Sequence, residues 1–146
     1  MKKITLLLMG LFMALGATAA AGDEAQPINP SKLPSLAQKI VSAYFKGDIA
    51  SASKQKGHFK NDYMVELANG ERLLFDKDGN WIEVECESVP MRLLNGRTQM
   101  YLSKSHPDAT VVKLEKDRKT RTVAVTLADG TVLHFDADGK FLPAED

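Results

Sequence analysis

The chain has 146 residues, 19 Lys and Arg against 19 Asp and Glu, one Cys and 44% hydrophobic residues. That length is the size of one domain, and the apolar fraction is too high for a disordered chain. Balanced charge argues against a protein that grips nucleic acid or an anionic membrane surface, since both demand a large positive excess. A single cysteine forms neither an internal disulfide nor a cysteine-built zinc site.

Residues 1–21 have the three parts of a secretory signal peptide: Lys2 and Lys3, an apolar run from Ile4 to Leu15, and small residues from Ala17 to Ala21 that offer an A-x-A-type cleavage site. The run is shorter than the roughly 20 residues that cross a bilayer, so no membrane span is expected after cleavage. Without twin arginines or a cysteine at the cleavage site, the general secretory route is expected, and a periplasmic or secreted location. Cleavage leaves 125 residues with 17 basic against 19 acidic side chains, a net charge of −2. Residues 22–32, GDEAQPINPSK, lack periodicity and read as a flexible leader. A single domain is expected over 33–146, made of two repeats, 33–87 and 88–146.

The repeat rests on two segments 60 residues apart, YMVELANGERLLFDKDGNW from Tyr63 and VAVTLADGTVLHFDADGKF from Val123, identical at 9 of 19 positions. A self-similarity seen twice reads as one duplicated supersecondary unit. In the first unit Pro34 suits the first position of a helix, and Leu36, Ala37, Ile40, Val41, Tyr44 and Phe45 follow at helical spacing. A leading strand is expected at Ile49–Gln55. Val65, Leu67, Leu73 and Phe75 then alternate with polar and mixed residues around Asn69-Gly70, a two-residue hairpin signal of the type I′ kind. Asp76-Lys77-Asp78-Gly79 marks a second turn, and Trp81–Cys86 a further strand. In the second unit Pro90 opens a helix with Leu93, Leu94, Met100, Tyr101 and Leu102 as its apolar face, Gly96 inside it as a weak point, and Pro107 as its stop. A strand over about Ala109–Lys116 and the repeated meander follow. The fold class is therefore α+β: two tandem repeats, each a helix followed by an about four-stranded antiparallel β-meander.

In phase, Val65, Leu67, Leu73, Phe75 and their mates 60 later form the core face. The opposite face carries Met64, Glu66, Arg72 and Leu74, then Ala124, Thr126, Val132 and His134. That mixture is more apolar than a solvated sheet face, which leaves three readings, ordinary scatter of exposed apolar groups, cover by the other unit, or a binding surface; Trp81 is placed with the last as an aromatic anchor.

The signal peptide, Leu33-Pro34 before a helix ending Tyr44-Phe45, Asn69-Gly70, Phe75-Asp76-x-Asp78-Gly79-Asn80-Trp81, then Val89-Pro90 and a second copy together resemble the PepSY-like family of exported bacterial proteins. The resemblance covers about residues 30–146. It implies a tandem helix-plus-antiparallel-sheet protein in the periplasm, with a likeness to the β-lactamase inhibitory protein fold, and it implies no activity. Tyr63 fits the family pattern; Thr122-Val123 and Asn95-Gly96-Arg97 depart from it.

No catalytic residue emerges. Nucleophile, phosphate-loop and metalloprotease motifs are absent. The turns at Asp76 and Asp136 return to apolar strands too soon to build a calcium loop of the EF-hand kind, and His58, His106 and His134 lack metal-ligand spacing. Cys86, flanked by Glu85 and Glu87, reads as a packed thiol with a raised pKa. Two basic clusters, Lys54/Lys56/Lys60 and Lys116/Arg118/Lys119/Arg121, read as solvated loop tips. No cofactor and no metal is expected. The functional expectation is a non-enzymatic, exported binding module, protein-binding or inhibitory, whose partner is an envelope protein. The alternative is an envelope sensor for a small ligand or cation.

Overall fold

The computed structural model describes residues 25–55 and 61–143. The expected signal peptide over 1–21, with Lys56, His58 and Lys60, lies outside the described residues. Among the described residues there are two helices, α1 (Ser35–Tyr44) and α2 (Gly96–Ser105). The strands are β1 (Ala25–Pro27), β2 (Ile49–Gln55), β3 (Tyr63–Leu67), β4 (Arg72–Phe75), β5 (Trp81–Glu85), β6 (Val111–Lys116), β7 (Val123–Leu127), β8 (Val132–Phe135) and β9 (Phe141–Leu142). They form one nine-stranded sheet in sequential order, antiparallel throughout. The protein is thus α+β, as the alternation of its strands implies. The sheet starts earlier than the sequence suggests. Ala25–Pro27, inside the segment read as a leader, pair with β2, and Pro30–Lys32 form a 3-10 turn capped by the Asn29 side chain.

Register explains the core. Ala52 pairs with Val65, Val65 with Leu73, Leu73 with Val84, Val84 with Leu114, Leu114 with Val125 and Val125 with Leu133. All seven are buried. Both helices cover this face. Leu33, Ala37, Val41 and Phe45 are buried at four-residue spacing along and beside α1, and Leu94, Thr98 and Leu102 do the same for α2. The ring of Tyr101 stacks on Phe141 at 4.4 Å and meets Phe135 edge-on at 5.6 Å, joining α2 to β8 and β9. The two hairpins 60 residues apart share a register: Tyr63 pairs with Phe75 and Val123 with Phe135.

Three details differ from expectation. First, α2 begins at Gly96 rather than Pro90. Pro90 leads into a 3-10 turn (Met91–Leu93), and Asn95 caps the helix by accepting the Arg97 N–H at 2.8 Å. Gly96 is therefore the first helical residue, not an interior weak point. Second, Leu36 and Met100, placed on apolar helix faces, are 42% and 59% exposed. Third, the turns at Asn69-Gly70 and Asp129-Gly130 are not type I′. Only the glycine has positive φ, and the glycine N–H bonds back to Leu67 O or Leu127 O. These are three-residue loops that end on a left-handed glycine.

Gly79 and Gly139 combine positive φ with close packing under the helices. A Cβ on Gly79 would lie 2.8 Å from the Ala37 amide nitrogen and one on Gly139 2.6 Å from Asn95, whereas one on Gly70 meets nothing within 4 Å. Gly70→Ala is therefore expected to cost only the left-handed strain of about 1–2 kcal/mol. Gly79→Ala adds about 1–3 kcal/mol of overpacking. Equal losses for the two in chemical denaturation would contradict this account of how the turn seats α1.

Candidate functional site

Opposite the helices the sheet presents two rows of side chains. One runs Ser51, Glu66, Arg72, Glu85, Lys113, Thr126, Val132, and the other Ser53, Met64, Leu74, Glu83, Glu115, Ala124, His134, Leu142. Among the described residues no helix packs over them. Of the nine residues expected to form a binding surface, all but Trp81 sit here. Met64 lies opposite Leu74, both half-buried, and Glu66 opposite Arg72, joined Nε to Oε2 at 2.8 Å. His134 is exposed opposite Ala124. Thr126 lies on this face but is only 3% exposed.

Trp81 does not belong with them. It is 8% exposed and packs in the core on the helix side. The register shifts between Leu74 and Phe75, so Glu83 pairs with Leu74 while Trp81 pairs with the buried Phe75. Counting alternation back from Glu83 points Trp81 outward, and the bulge turns it inward.

The chemistry at the middle of the face comes from residues that alternation along β5 and β6 exposes but that form no motif. Glu83 and Glu115 are paired directly across the strands, an arrangement of like charges that destabilises a sheet. Lys113 offsets it. Its ammonium lies 3.5 Å from Glu83 and 3.6 Å from Glu115, in a side chain only 3% exposed. Glu85, paired with Lys113, keeps Oε1 buried without a hydrogen-bond partner. Four carboxylates thus share the face with two cations. At the hairpin end a groove of about 450 Å³ opens between the 69–71 and 128–130 loops, walled by Arg72, Glu85, Cys86, Val112 and Thr126.

Burial, first, and the charges of Glu115 and Glu85 raise the Glu83 carboxyl, against the lowering pull of Lys113. Burial pushes the Cys86 thiol up to about 11, with Glu71 adding to it. That agrees in direction with the sequence reading, though Glu71, beside Cys86 at the end of the β4–β5 pair, replaces Glu87 as a source. Cys86 is buried and is overwhelmingly protonated at neutral pH.

The acidic turns are internally satisfied. Asp76 Oδ1 accepts the N–H groups of Asp78 and Asn80 at 2.9 and 3.0 Å, and Asp136 Oδ1 those of Asp138 and Lys140, both at 2.9 Å. Among the described residues no group of three or more His, Cys, Asp or Glu is placed to hold a metal ion, and no helix is long and apolar enough to cross a membrane. In the basic cluster at the β6–β7 loop Arg118, Lys119 and Arg121 are exposed, as expected, yet two of its cations are engaged. Arg118 forms a two-pronged ion pair with the buried Asp62, one arm 3.2 Å long, and Lys116 lies over the Trp81 ring.

Comparison with known proteins agrees with this architecture. Residues 61–143 match the family described as "putative beta-lactamase-inhibitor-like, PepSY-like". A Bacteroides thetaiotaomicron structure described as a "putative calcium-regulated periplasmic protein" is similar at 33% identity and a TM-score of 0.76, over 86% of this chain and 99% of that one. A putative periplasmic protein from Bacteroides vulgatus is similar at 30% identity and a TM-score of 0.76, over 85% and 98%. A second from that species, of unknown function, is similar at 29% and 0.73, over 84% and 99%. No curated protein matches the chain. The chain belongs to the PepSY-like family.

The Glu83 carboxyl yields a prediction. A carboxyl raised in the fold contributes stability below its unfolded pKa and loses it as pH rises through the folded value. Glu83→Gln removes that liability, so the variant is expected to melt above the wild type at pH 7, with the advantage vanishing below about pH 4.5, the ordinary value. A variant less stable than wild type at pH 7 would mean that the Lys113 contact outweighs burial.

Proposed function

We propose that this protein is a periplasmic, non-enzymatic binding module that recognises an envelope protein with the helix-free face of its sheet. The observation that carries the reading is that face itself. Both helices pack on one side, and the other offers the half-buried Met64–Leu74 pair beside a charged cluster. An antiparallel sheet face left to water is ordinarily polar, and this one is not. The periplasmic description of the similar Bacteroides proteins supports the location, and the inhibitor-like description of the family supports a protein partner, an inhibited enzyme included. We further propose that the domain is two copies of one unit, 33–87 and 88–146, exported behind a signal peptide over 1–21 by the general secretory route. The equal registers of the two hairpins support the duplication. Met64, Glu66, Arg72, Leu74 and His134 are the proposed contacts; Trp81 and Thr126 are too buried to make them.

The calcium-regulated description of one similar protein favours a second reading, a cation sensor. Against it, Oδ1 of Asp76 and of Asp136 already accepts backbone N–H groups, and among the described residues no three acidic or other metal-binding side chains converge. Calcium is therefore expected to leave the melting temperature unchanged, and a saturable rise would favour the sensor.

Affinity capture from periplasmic extract tests the main reading with three proteins: wild type, Met64→Ala/Leu74→Ala, and Leu36→Ala/Met100→Ala on the helix side. The partner is expected with the first and third and lost with the second. The same recovery with all three, or loss only with the third, contradicts the assignment.

A further inference from the structure

On the helix side, a cavity of about 260 Å³ is walled by Trp81, Thr98, Lys116, Arg121, Val123 and Asp136. Two of these walls are cations. The Lys116 ammonium lies 4.0 Å from the centre of the Trp81 ring, a favourable cation–π position. Among the described residues neither Lys116 nor Arg121 forms an ion pair. Burial and the nearby Arg121 charge both work against the Lys116 ammonium, and Asp76 only partly offsets them. One carboxylate also lines the cavity, Asp136, whose Oδ1 accepts two N–H groups of its own turn. The first turn of α2 forms another wall; its Asn95 and Thr98 side chains are engaged with Arg97 N and Gly139 O, and the positive end of its dipole lies on the same side.

Two like charges line one cavity, the half-buried Lys116 and the exposed Arg121, and their repulsion is a liability of the empty protein that falls on Lys116. An anion between them removes that liability. We propose that this cavity is a binding site for a small oxyanion, a carboxylate or phosphate group, held by Lys116 and Arg121 against the Trp81 wall. The site lies on the other side of the sheet from the proposed protein-binding face and is independent of it. It also gives Trp81, withdrawn from that face by the β4–β5 bulge, a position at a ligand cavity. The fit is steric as well as electrostatic. The volume exceeds a lone phosphate, so the oxyanion can carry a short apolar body against Val123 and the indole.

The test is thermal melting and calorimetric titration of the mature chain with sodium phosphate and sodium acetate, against chloride and choline chloride at matched ionic strength. The variants are Lys116→Met, Arg121→Asn and Lys119→Gln. Met preserves packing on the indole. Asn suits the left-handed backbone at Arg121, where φ is 66°. Lys119 belongs to the same loop but does not line the cavity. At least one oxyanion is expected to raise the wild-type melting temperature saturably, while choline does nothing. Lys116→Met and Arg121→Asn are each expected to weaken that binding by about tenfold or more, the loss of a charge-assisted contact, and Lys119→Gln by less than about twofold. Without anion, Lys116→Met is expected to melt no lower than wild type, because it removes a half-buried charge that Arg121 repels while keeping the packing on the indole. The proposal is overturned if neither oxyanion gives a saturable shift, if all four proteins respond alike, or if Lys116→Met loses stability yet keeps its oxyanion affinity.

Discussion

Seven residues from seven strands, Ala52, Val65, Leu73, Val84, Leu114, Val125 and Leu133, stand side by side in one row across the sheet, and the rest of the molecule is arranged to keep that row dry. A slip of one residue in any strand would turn its member of the row to the other face. The hairpin loops with left-handed glycines hold the register at each turn, and Gly79 and Gly139 also let the chain pass beneath the first turn of each helix. Because one sheet face takes both helices, the other is left to charges and half-buried apolar groups. The proposed function starts from that asymmetry.

The joint between the halves is where apolar and ionic effects meet. On the helix side the row crosses from β5 to β6 through Val84 and Leu114. On the other side the same pair of strands sets Glu83 against Glu115 and lets the Lys113 ammonium lie between them. Placing an ammonium among carboxylates in a half-desolvated setting makes the carboxylates depend on Lys113, since removing it leaves their like charges uncompensated. A partner that covered this face would desolvate the cluster further. Recognition there favours surfaces that supply compensating hydrogen bonds and excludes those that do not.

Much of this was legible in the residues. The 3.6-residue spacing of α1, the alternation of β3 and β4 and the 60-residue echo placed the elements and the two sheet faces, because periodicity is set by which side meets water. Three things were not legible, each for a physical reason. The β4–β5 bulge that turns Trp81 inward needs no special residue, so nothing in the text announces it. The start of α2 moved from Pro90 to Gly96 because Asn95 caps better than a proline continues, and a 3-10 turn absorbs the residues between. The Glu83–Lys113–Glu115 cluster joins residues that neighbour each other only through β5–β6 pairing. The Lys116–Trp81 contact and the Arg118–Asp62 ion pair, which reaches 56 residues along the chain, are likewise products of the fold rather than of local pattern.

The central claim, that the helix-free face is the one occupied in the envelope, can be read from two methionines already in the chain. Met64 lies on that face and Met100 stands exposed on α2. Oxidative footprinting by mass spectrometry would compare their reactivity in purified protein and in intact cells. The account predicts that Met64 becomes protected in cells while Met100 reacts as before. Unchanged reactivity of Met64, or protection of Met100 instead, would contradict it.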